Sequence, residues 1–66
     1  MTDDQLLTMP DVSARTGLAI STLYQLRGRQ EGPACFLLQG RLRCRESALE
    51  AWLTEQEQAE QARIAG

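Results

Sequence analysis

The residues best suited to bind another molecule lie between Ser21 and Arg29. At helical spacing, Leu23 and Leu26 fall on one side of a short helix, and polar side chains fall on its other sides. The polar set is Ser21, Thr22, Gln25, Arg27 and Arg29, with the hydroxyl of Tyr24 beside it. Hydroxyls donate to phosphate oxygens, an amide pairs with adenine, and guanidiniums bind guanine or phosphate. This pattern is typical of a helix that reads a DNA groove, and a solvated helix face is the alternative.

Residue types used in catalysis and metal binding are scarce. The chain has no histidine and only two cysteines, Cys35 and Cys44. A structural zinc site needs four Cys or His ligands, so none is expected in one chain. Neither the serines Ser21 and Ser47 nor the cysteines have a histidine partner for nucleophilic catalysis, and no carboxylate pair lies in an evident pocket. We therefore expect a non-enzymatic protein without metal or cofactor, with its cysteines reduced.

The length of 66 residues indicates one small domain. A chain of this size buries only about 60% of its unfolded surface, so a small core and no deep catalytic pocket are expected. No apolar run is long enough to span a membrane, and no secretory leader is recognisable. The cytoplasm is therefore the predicted compartment, and no membrane partner is expected.

The net charge of −2 hides an uneven distribution. Residues 1–14 carry a net charge of −3, residues 15–45 one of +5, and residues 46–66 one of −4. A basic middle between acidic ends is a candidate footprint for a polyanion. All seven cationic residues are arginine, which favours bidentate contacts over point charges.

A first helix is predicted from about Met9 to Thr16, just before the polar stretch. Thr8 can accept a hydrogen bond from the amide of Asp11, and Pro10 is compatible with a first helical turn. Gly17 supplies a left-handed stop. Only two or three residues then remain before the next helix, so the two helices form a helix-turn-helix of the kind that enters the major groove.

The second helix has boundaries that the sequence leaves partly open. Its candidate first residues are Ala19, Ile20 and Ser21, of which Ser21 is the best cap. Gly28, and then Gly32 followed by Pro33, end the helical region.

A β-hairpin is predicted from Cys35 to Cys44, where the hydrophobic period changes to two, with Gln39 and Gly40 as its turn. Pairing outward from the turn gives Leu38 opposite Arg41, Leu37 opposite Leu42, Phe36 opposite Arg43, and Cys35 opposite Cys44. We expect the leucine pair and the cysteine pair to share the buried face, while three arginines project outward. A charged edge strand protected from aggregation would look similar, but the neighbouring helix-turn-helix favours contact with DNA phosphates or the minor groove.

A last helix is predicted from Glu46 or Ser47, with Ser47 and Glu50 spaced as a capping box. Its apolar stripe is Leu49, Trp52 and Leu53. The flanking leucines favour a core position for Trp52 over a DNA contact. Beyond Thr54 helix propensity stays high, but the only apolar side chains are Ala59, Ala62 and Ile64. This extension either frays or binds a partner weakly.

Five short segments carry a further pattern. They are LLTMPDV at residues 6–12, GL at 17–18, STLY at 21–24, GRLR at 40–43 and ESALEAWL at 46–53. Together they resemble the small MerR-like winged-helix domains of phage and plasmid excisionases, and the last segment is the most recognisable. The family usually has serine where Ala19 stands and often has an aromatic residue at the position of Leu42.

The resemblance implies a mainly α fold with a small β-hairpin, that is, a winged helix-turn-helix. It would occupy residues 6–54, between a flexible N-terminus at residues 1–5 and a helical extension at residues 55–66 that frays at its end. The second helix would enter the major groove, and the hairpin would be a wing on the minor groove or backbone. By position, Ser21, Thr22, Gln25 and Arg27 would face the groove, and Gly40, Arg41 and Arg43 would form the wing. Arg29 completes the candidate DNA-binding set together with Tyr24, which is either a core residue with a solvated hydroxyl or a backbone contact.

The function implied by the resemblance is that of an excisionase, a recombination directionality factor in the host bacterial nucleoid. Such a protein binds repeated sites in phage attachment DNA, associates with further copies of itself along that DNA, bends it and directs an integrase toward excision. A small transcription regulator would use the same domain. A protein-interaction module, with the acidic last helix as its working surface, is a third interpretation.

Overall fold

The computed structural model describes residues 4–65, which form three short strands and three helices. The elements in chain order are β1 (Leu6–Leu7), α1 (Met9–Thr16), α2 (Ile20–Gly28), β2 (Cys35–Leu38), β3 (Arg41–Arg45) and α3 (Glu46–Ala65). The mainly helical fold with a small hairpin is the predicted winged helix-turn-helix. Expectations for residues 1–3 and for residue 66 lie outside the described residues.

The first helix has the predicted bounds, and its cap is the predicted one. The Thr8 hydroxyl accepts from the Asp11 amide at 3.2 Å, and the Asp11 carboxylate accepts from the Thr8 amide at 3.1 Å. Gly17 ends the helix with φ at 77°, a left-handed conformation that glycine adopts without steric cost. The Ser13 hydroxyl donates to the carbonyl of Leu18 at 2.6 Å, which fixes the turn toward α2. Local hydrogen bonds therefore hold the turn between the two helices.

The second helix begins at Ile20, the middle one of its three candidate starts. Ala19 is its N-cap in an extended conformation, and no side chain caps the first turn. Leu23 is the one fully buried residue of α2. The helix is therefore fixed to the core along a narrow line, and most of its surface remains exposed.

The hairpin has the predicted register in all four pairs. Gln39 and Gly40 both have positive φ, at 51° and 78°, as a two-residue type I′ turn requires. The sequence did not indicate β1, which pairs Leu6 with Arg45 and Leu7 with Cys44 and makes β3 the central strand of three.

The expected burial of Leu37 is wrong. Its partner Leu42 is 7% exposed, whereas Leu37 is 61% exposed. The physical reason is the strand order, because β3 lies in the middle of the sheet and β2 forms its edge. Core side chains cover the central strand, but they do not extend over the edge strand near the turn.

The core is small, as expected for this length. Its buried members are Leu7, Met9, Val12, Leu23, Leu42, Cys44 and Leu49, with Leu18, Cys35, Ala48, Trp52 and Leu53 packed around them. Each fully buried aliphatic side chain contributes about 1.5–3 kcal/mol relative to an exposed one. Trp52 is half-buried against this core, and its indole N–H donates to the carbonyl of Glu31 at 2.8 Å. The ring therefore also fixes the loop that follows α2.

The third helix starts at Glu46, but its cap is not the expected pair of Ser47 and Glu50. Instead, Ser47 donates its amide to one oxygen of Asp4 at 2.9 Å and its hydroxyl to the other at 2.7 Å. The Glu46 amide donates to the carbonyl of Gln5 at 2.9 Å. Strand β1 pairs with β3, which places the residues before β1 beside the start of α3. Asp4 and Gln5 therefore form hydrogen bonds to the start of α3.

The helix α3 continues without a break to Ala65, and its side chains from Thr54 to Ile64 are exposed. It makes the molecule elongated, with principal extents of 43, 32 and 19 Å. Within residues 4–65, no helix is both long enough and apolar enough to cross a bilayer.

Candidate nucleic-acid interface

The outer surface of α2 carries most of the candidate residues from the polar stretch. Ser21, Tyr24, Gln25, Arg27 and Arg29 are exposed, and Thr22 is half-buried. Gln25 and Arg27 are two positions apart and therefore point about 200° apart around a helix. Arg27 lies on the flank near β2, where it lines a surface cleft with Cys35. Gln25 points about 160° away from the buried Leu23 and therefore lies near the centre of the exposed surface, whereas Arg27 lies at its margin.

A cleft of about 400 Å³ separates α2 from the hairpin. It is lined by Thr8, Met9 and Pro10 at the start of α1, by Tyr24 on α2, and by Gly40, Arg41, Leu42 and Arg43 on the hairpin. Tyr24 is 52% exposed, so it is a cleft residue and not core filler. The cleft therefore brings together four candidate DNA-binding residues from two segments of the sequence, Tyr24 on α2 and Gly40, Arg41 and Arg43 on the hairpin.

The cleft also has a wall that sequence reasoning missed, formed by the first turn of α1. Thr8 and Pro10 had been recognised only as a cap and a helix start. The pairing of Leu7 with Cys44 places the start of α1 next to β3. No residue pattern in the sequence indicated that α1 begins next to β3.

The ion pairs divide the arginines into two groups. Arg15 pairs with Glu46 at 2.7 Å, Arg45 with Asp4 at 3.8 Å, and Arg63 with Glu60 at 3.5 Å. Within residues 4–65, the arginines that form no ion pair are Arg27, Arg29, Arg41 and Arg43. All four belong to the candidate DNA-binding set. Their positive charge is therefore available to an external anion, whereas Arg15 and Arg45 connect separate parts of the fold and Arg63 pairs within α3.

Arg43 is the most constrained of these four. Its guanidinium donates to the carbonyl of Leu42 at 2.9 Å, and its side chain is half-buried. The pKa of Asp11 is lowered chiefly by the Thr8 amide and hydroxyl, with smaller contributions from the charges of Arg15 and Arg43. Arg43 is therefore partly compensated by a carboxylate, while Arg41 near the hairpin turn is exposed.

The N-terminus of α2 differs electrostatically from that of α1. The first turn of α1 holds Asp11 and is capped by Thr8, whereas the first turn of α2 has no acidic residue and no side-chain cap. Helix N-termini carry a partial positive charge and unpaired amides. Ser21 and Thr22 lie in this turn of α2. Their hydroxyls and the helix dipole therefore both favour binding of an anionic group at the N-terminus of α2.

The two cysteines are a structural pair. They face each other across β2 and β3, and neither forms a disulfide. Burial, and then the adjacent Cys35 thiol, raise the pKa of Cys44 to about 12. The Cys44 thiol is therefore protonated, and it donates to the carbonyl of Arg45 at 3.6 Å. Among residues 4–65, no group of three or more His, Cys, Asp or Glu side chains could hold a metal ion.

The sequence profile of the helix-turn-helix domain family matches residues 6–57. The chain belongs to this family. The match spans both helices of the helix-turn-helix, the whole hairpin and the first twelve residues of α3. No curated protein and no solved structure matches the chain.

Membership assigns DNA binding to this helix-turn-helix protein, with double-stranded DNA as the partner. The family includes small excisionase-like DNA-binding proteins. The matched span excludes residues 58–66, so the exposed end of α3 lies outside the part that defines the family.

Proposed function

We propose that this helix-turn-helix protein is an excisionase, a sequence-specific DNA-binding protein that directs an integrase toward excision of phage DNA. The observation that carries the proposal is the position of Tyr24 and Arg41 on opposite sides of one cleft between α2 and the hairpin. A winged helix with two separate DNA-contacting elements can hold a bent duplex more firmly than one helix can. The excisionase role itself is supported by the resemblance of the five sequence segments.

In this proposal α2 lies in the major groove and supplies the base contacts. Gln25, near the centre of the exposed surface, pairs with adenine through its amide. The uncapped N-terminus of α2, with Ser21 and Thr22, binds a phosphate and fixes the depth of the helix in the groove. Arg27 and Arg29 contact the backbone or guanine at the margin of the same groove.

The hairpin is the wing and contacts DNA without reading its sequence. Gly40 and Arg41 lie at its tip, and Arg43 lies further along the cleft. Tyr24 donates its hydroxyl to the phosphate that passes between α2 and the wing. The wing therefore contributes affinity and orientation, and α2 contributes the choice of site.

The end of α3 remains available for proteins in this arrangement. Residues 54–64 are exposed and include the carboxylates of Glu55, Glu57 and Glu60. These negative charges disfavour contact with DNA. They suit association with a second copy on a neighbouring repeat or with the integrase.

The test is an excision assay on attachment DNA, preceded by a footprint that locates the binding sites. We expect protection of repeated sites and an excision yield that depends on the protein. Arg41→Ala should lower both, whereas the control Arg63→Ala, which changes an arginine on the distal part of α3, should change neither. Protection of a promoter without any effect on excision would identify a transcription regulator instead. Absence of DNA binding even at low salt would contradict the proposal entirely.

A further inference from the structure

Two leucines beside the hairpin turn lie at the end of the edge strand, beyond the reach of the core, and are exposed. Leu37 is 61% exposed and Leu38 is 46% exposed. They end the edge strand β2, whose sequence Cys-Phe-Leu-Leu contains no charged residue. Edge strands of stable proteins are commonly protected by charges or proline, and this one has neither. An exposed apolar pair at such a position indicates a contact that is absent from the free protein.

The two leucines are adjacent to the groups that would meet DNA. Leu38 is directly opposite Arg41, which forms no ion pair within residues 4–65. Leu37 is opposite Leu42, which lines the cleft shared with Tyr24. Because opposed residues of a hairpin share one face, Leu37 lies on the face toward the helices and Leu38 on the outer face. The apolar pair therefore straddles the tip of the hairpin, with an arginine beside it.

The dimensions of the hairpin tip fit the minor groove. The minor groove of B-DNA is about 6 Å wide, too narrow for a whole ribbon whose backbones lie about 4.8 Å apart centre to centre, so only the turn and the side chains beside it would enter. Gly40 adds no side chain to the turn, and a Cβ placed there would meet nothing within 4 Å. The leucines are the largest apolar side chains next to this turn.

We propose that Leu37 and Leu38 form an apolar wedge that enters the minor groove and partly unstacks one base step, kinking the duplex. Arg41 holds the wedge in place by binding an adjacent phosphate. Leucine is among the residues that DNA-bending proteins insert in this way, with kinks of about 20–90°. The inference rests on the proposed function insofar as the hairpin must contact DNA, and it specifies how the bend is produced.

The charges around the wedge favour DNA over a second copy of the chain as its occupant. Edge-to-edge pairing of two β2 strands would bring the arginines of two hairpins toward each other, and β2 offers no acidic residue to compensate them. The DNA backbone supplies negative charge on both sides of the groove. The same apolar pair is therefore better matched to a groove lined with phosphates.

The experiment compares the wild type with the double variant Leu37→Ser and Leu38→Ser on a duplex that contains one footprinted site. Donor and acceptor dyes at the duplex ends report the bend, and 2-aminopurine at successive steps reports unstacking. We expect the wild type to shorten the end-to-end distance and to raise the fluorescence at one step. The double variant should lose both signals and keep the wild-type salt slope, since no phosphate contact is removed. The control Ile64→Ser changes an even more exposed apolar side chain on α3 and should behave as the wild type.

Several results would overturn the wedge. One is a double variant that bends and unstacks the duplex as the wild type does, and another is a wild type that binds without bending. A dimer seen by sedimentation in the absence of DNA, and lost only in the double variant, would assign the leucines to edge pairing if the bend were unchanged. The single variant Leu38→Ser, on the outer face of the sheet, repeats the test if the double variant fails to fold. In all these cases DNA binding persists, whereas a wild type that binds no DNA would refute the proposed function as well.

Discussion

Asp4 accepts two hydrogen bonds from Ser47, a residue 43 positions away along the chain. The carboxylate lies at the positive end of α3, where it satisfies an amide of the first turn and interacts favourably with the helix dipole. The contact joins the residue that precedes β1 to the helix that follows β3. The contact therefore links Asp4, the first residue that the structure describes, to α3, the longest helix.

Asp4→Asn should lower the melting temperature at neutral pH and reduce the acid sensitivity of the protein. The pKa of Asp4 is held below its ordinary value of 3.8, first by the Ser47 amide and then by its hydroxyl. A lowered folded-state pKa stabilises the protein above pH 3.8, and this contribution is lost as the pH falls through the folded-state pKa. Thermal unfolding followed by circular dichroism at pH 7 and at pH 3 would measure it. The difference between wild type and variant should shrink in acid, and a difference independent of pH would contradict the assignment.

Trp52→Ala should destabilise the domain by about 3 kcal/mol, near the lower limit for buried aromatic residues because the ring is only half-buried. Trp52→Phe keeps most of the packing but removes the hydrogen bond to the Glu31 carbonyl, so about 0.5–1.5 kcal/mol is expected. Urea unfolding monitored by far-ultraviolet circular dichroism gives both values. The exposed Ile64→Ala is the control and should change stability by less than about 0.5 kcal/mol. A folded Trp52→Ala variant of unchanged stability that has lost DNA affinity would place the ring on DNA instead.

Arg41→Ala should weaken binding to all DNA sequences alike. Arg41 is exposed beside the hairpin turn and forms no ion pair within residues 4–65, so we expect it to bind phosphate. Loss of one phosphate contact lowers the slope of log affinity against log salt by about 0.9. Competition titrations at several salt concentrations, with cognate and random duplexes, measure the slope. Arg63→Ala should leave it unchanged, and a loss confined to cognate DNA would assign Arg41 to base recognition.

Gln25→Ala should cost about 1–3 kcal/mol on the cognate site and much less on random DNA. The side chain is exposed near the centre of the outer surface of α2, where only a base edge would give it a specific partner. The same titrations give both affinities. If Gln25→Ala and Arg41→Ala reduce specificity and salt dependence in equal proportion, the proposed division between helix and wing is refuted.

Alkylation should distinguish the two cysteines. Burial raises the pKa of Cys44 from 9.0 to about 12, so its reactive thiolate is scarce at pH 8, and the side chain is inaccessible in the folded protein. We expect iodoacetamide to modify Cys35 alone in the native protein and both residues in urea, as measured by mass spectrometry. The raised pKa also means that the stabilisation by the protonated thiol is complete below pH 9 and is lost as the pH rises toward 12. Rapid native modification of Cys44 would contradict its position in the core.

Local signals made much of the fold predictable. The Thr8 cap, the left-handed Gly17 and the turn at Gln39 and Gly40 each depend on residues close in sequence, and the structure contains all of them. The hairpin register followed because a two-residue turn leaves one pairing. These features require no knowledge of distant parts of the chain.

The features that could not be predicted depend on long-range contacts. Strand β1 has two residues and no periodicity of its own, and it exists because β3 offers a free edge. The cap of α3 by Asp4 follows from that pairing. Leu37 was expected to be buried because alternation identifies a face, but alternation cannot tell how far the core extends over that face. Among the candidate site residues, the chemistry of Tyr24 was clear from its type, whereas its place in the cleft required the packing of α1 and α2 against the sheet.

The direct junction between β3 and α3 couples the orientation of the hairpin to that of the last helix. Arg45 ends the strand and Glu46 begins the helix, with no loop between them to absorb a rotation. Twenty helical residues extend about 30 Å at 1.5 Å per residue, so a tilt of the hairpin by about 10° would move the far end of α3 by about 5 Å. In the proposed complex, the angle at which the hairpin meets DNA would therefore also set where the acidic end of the helix projects.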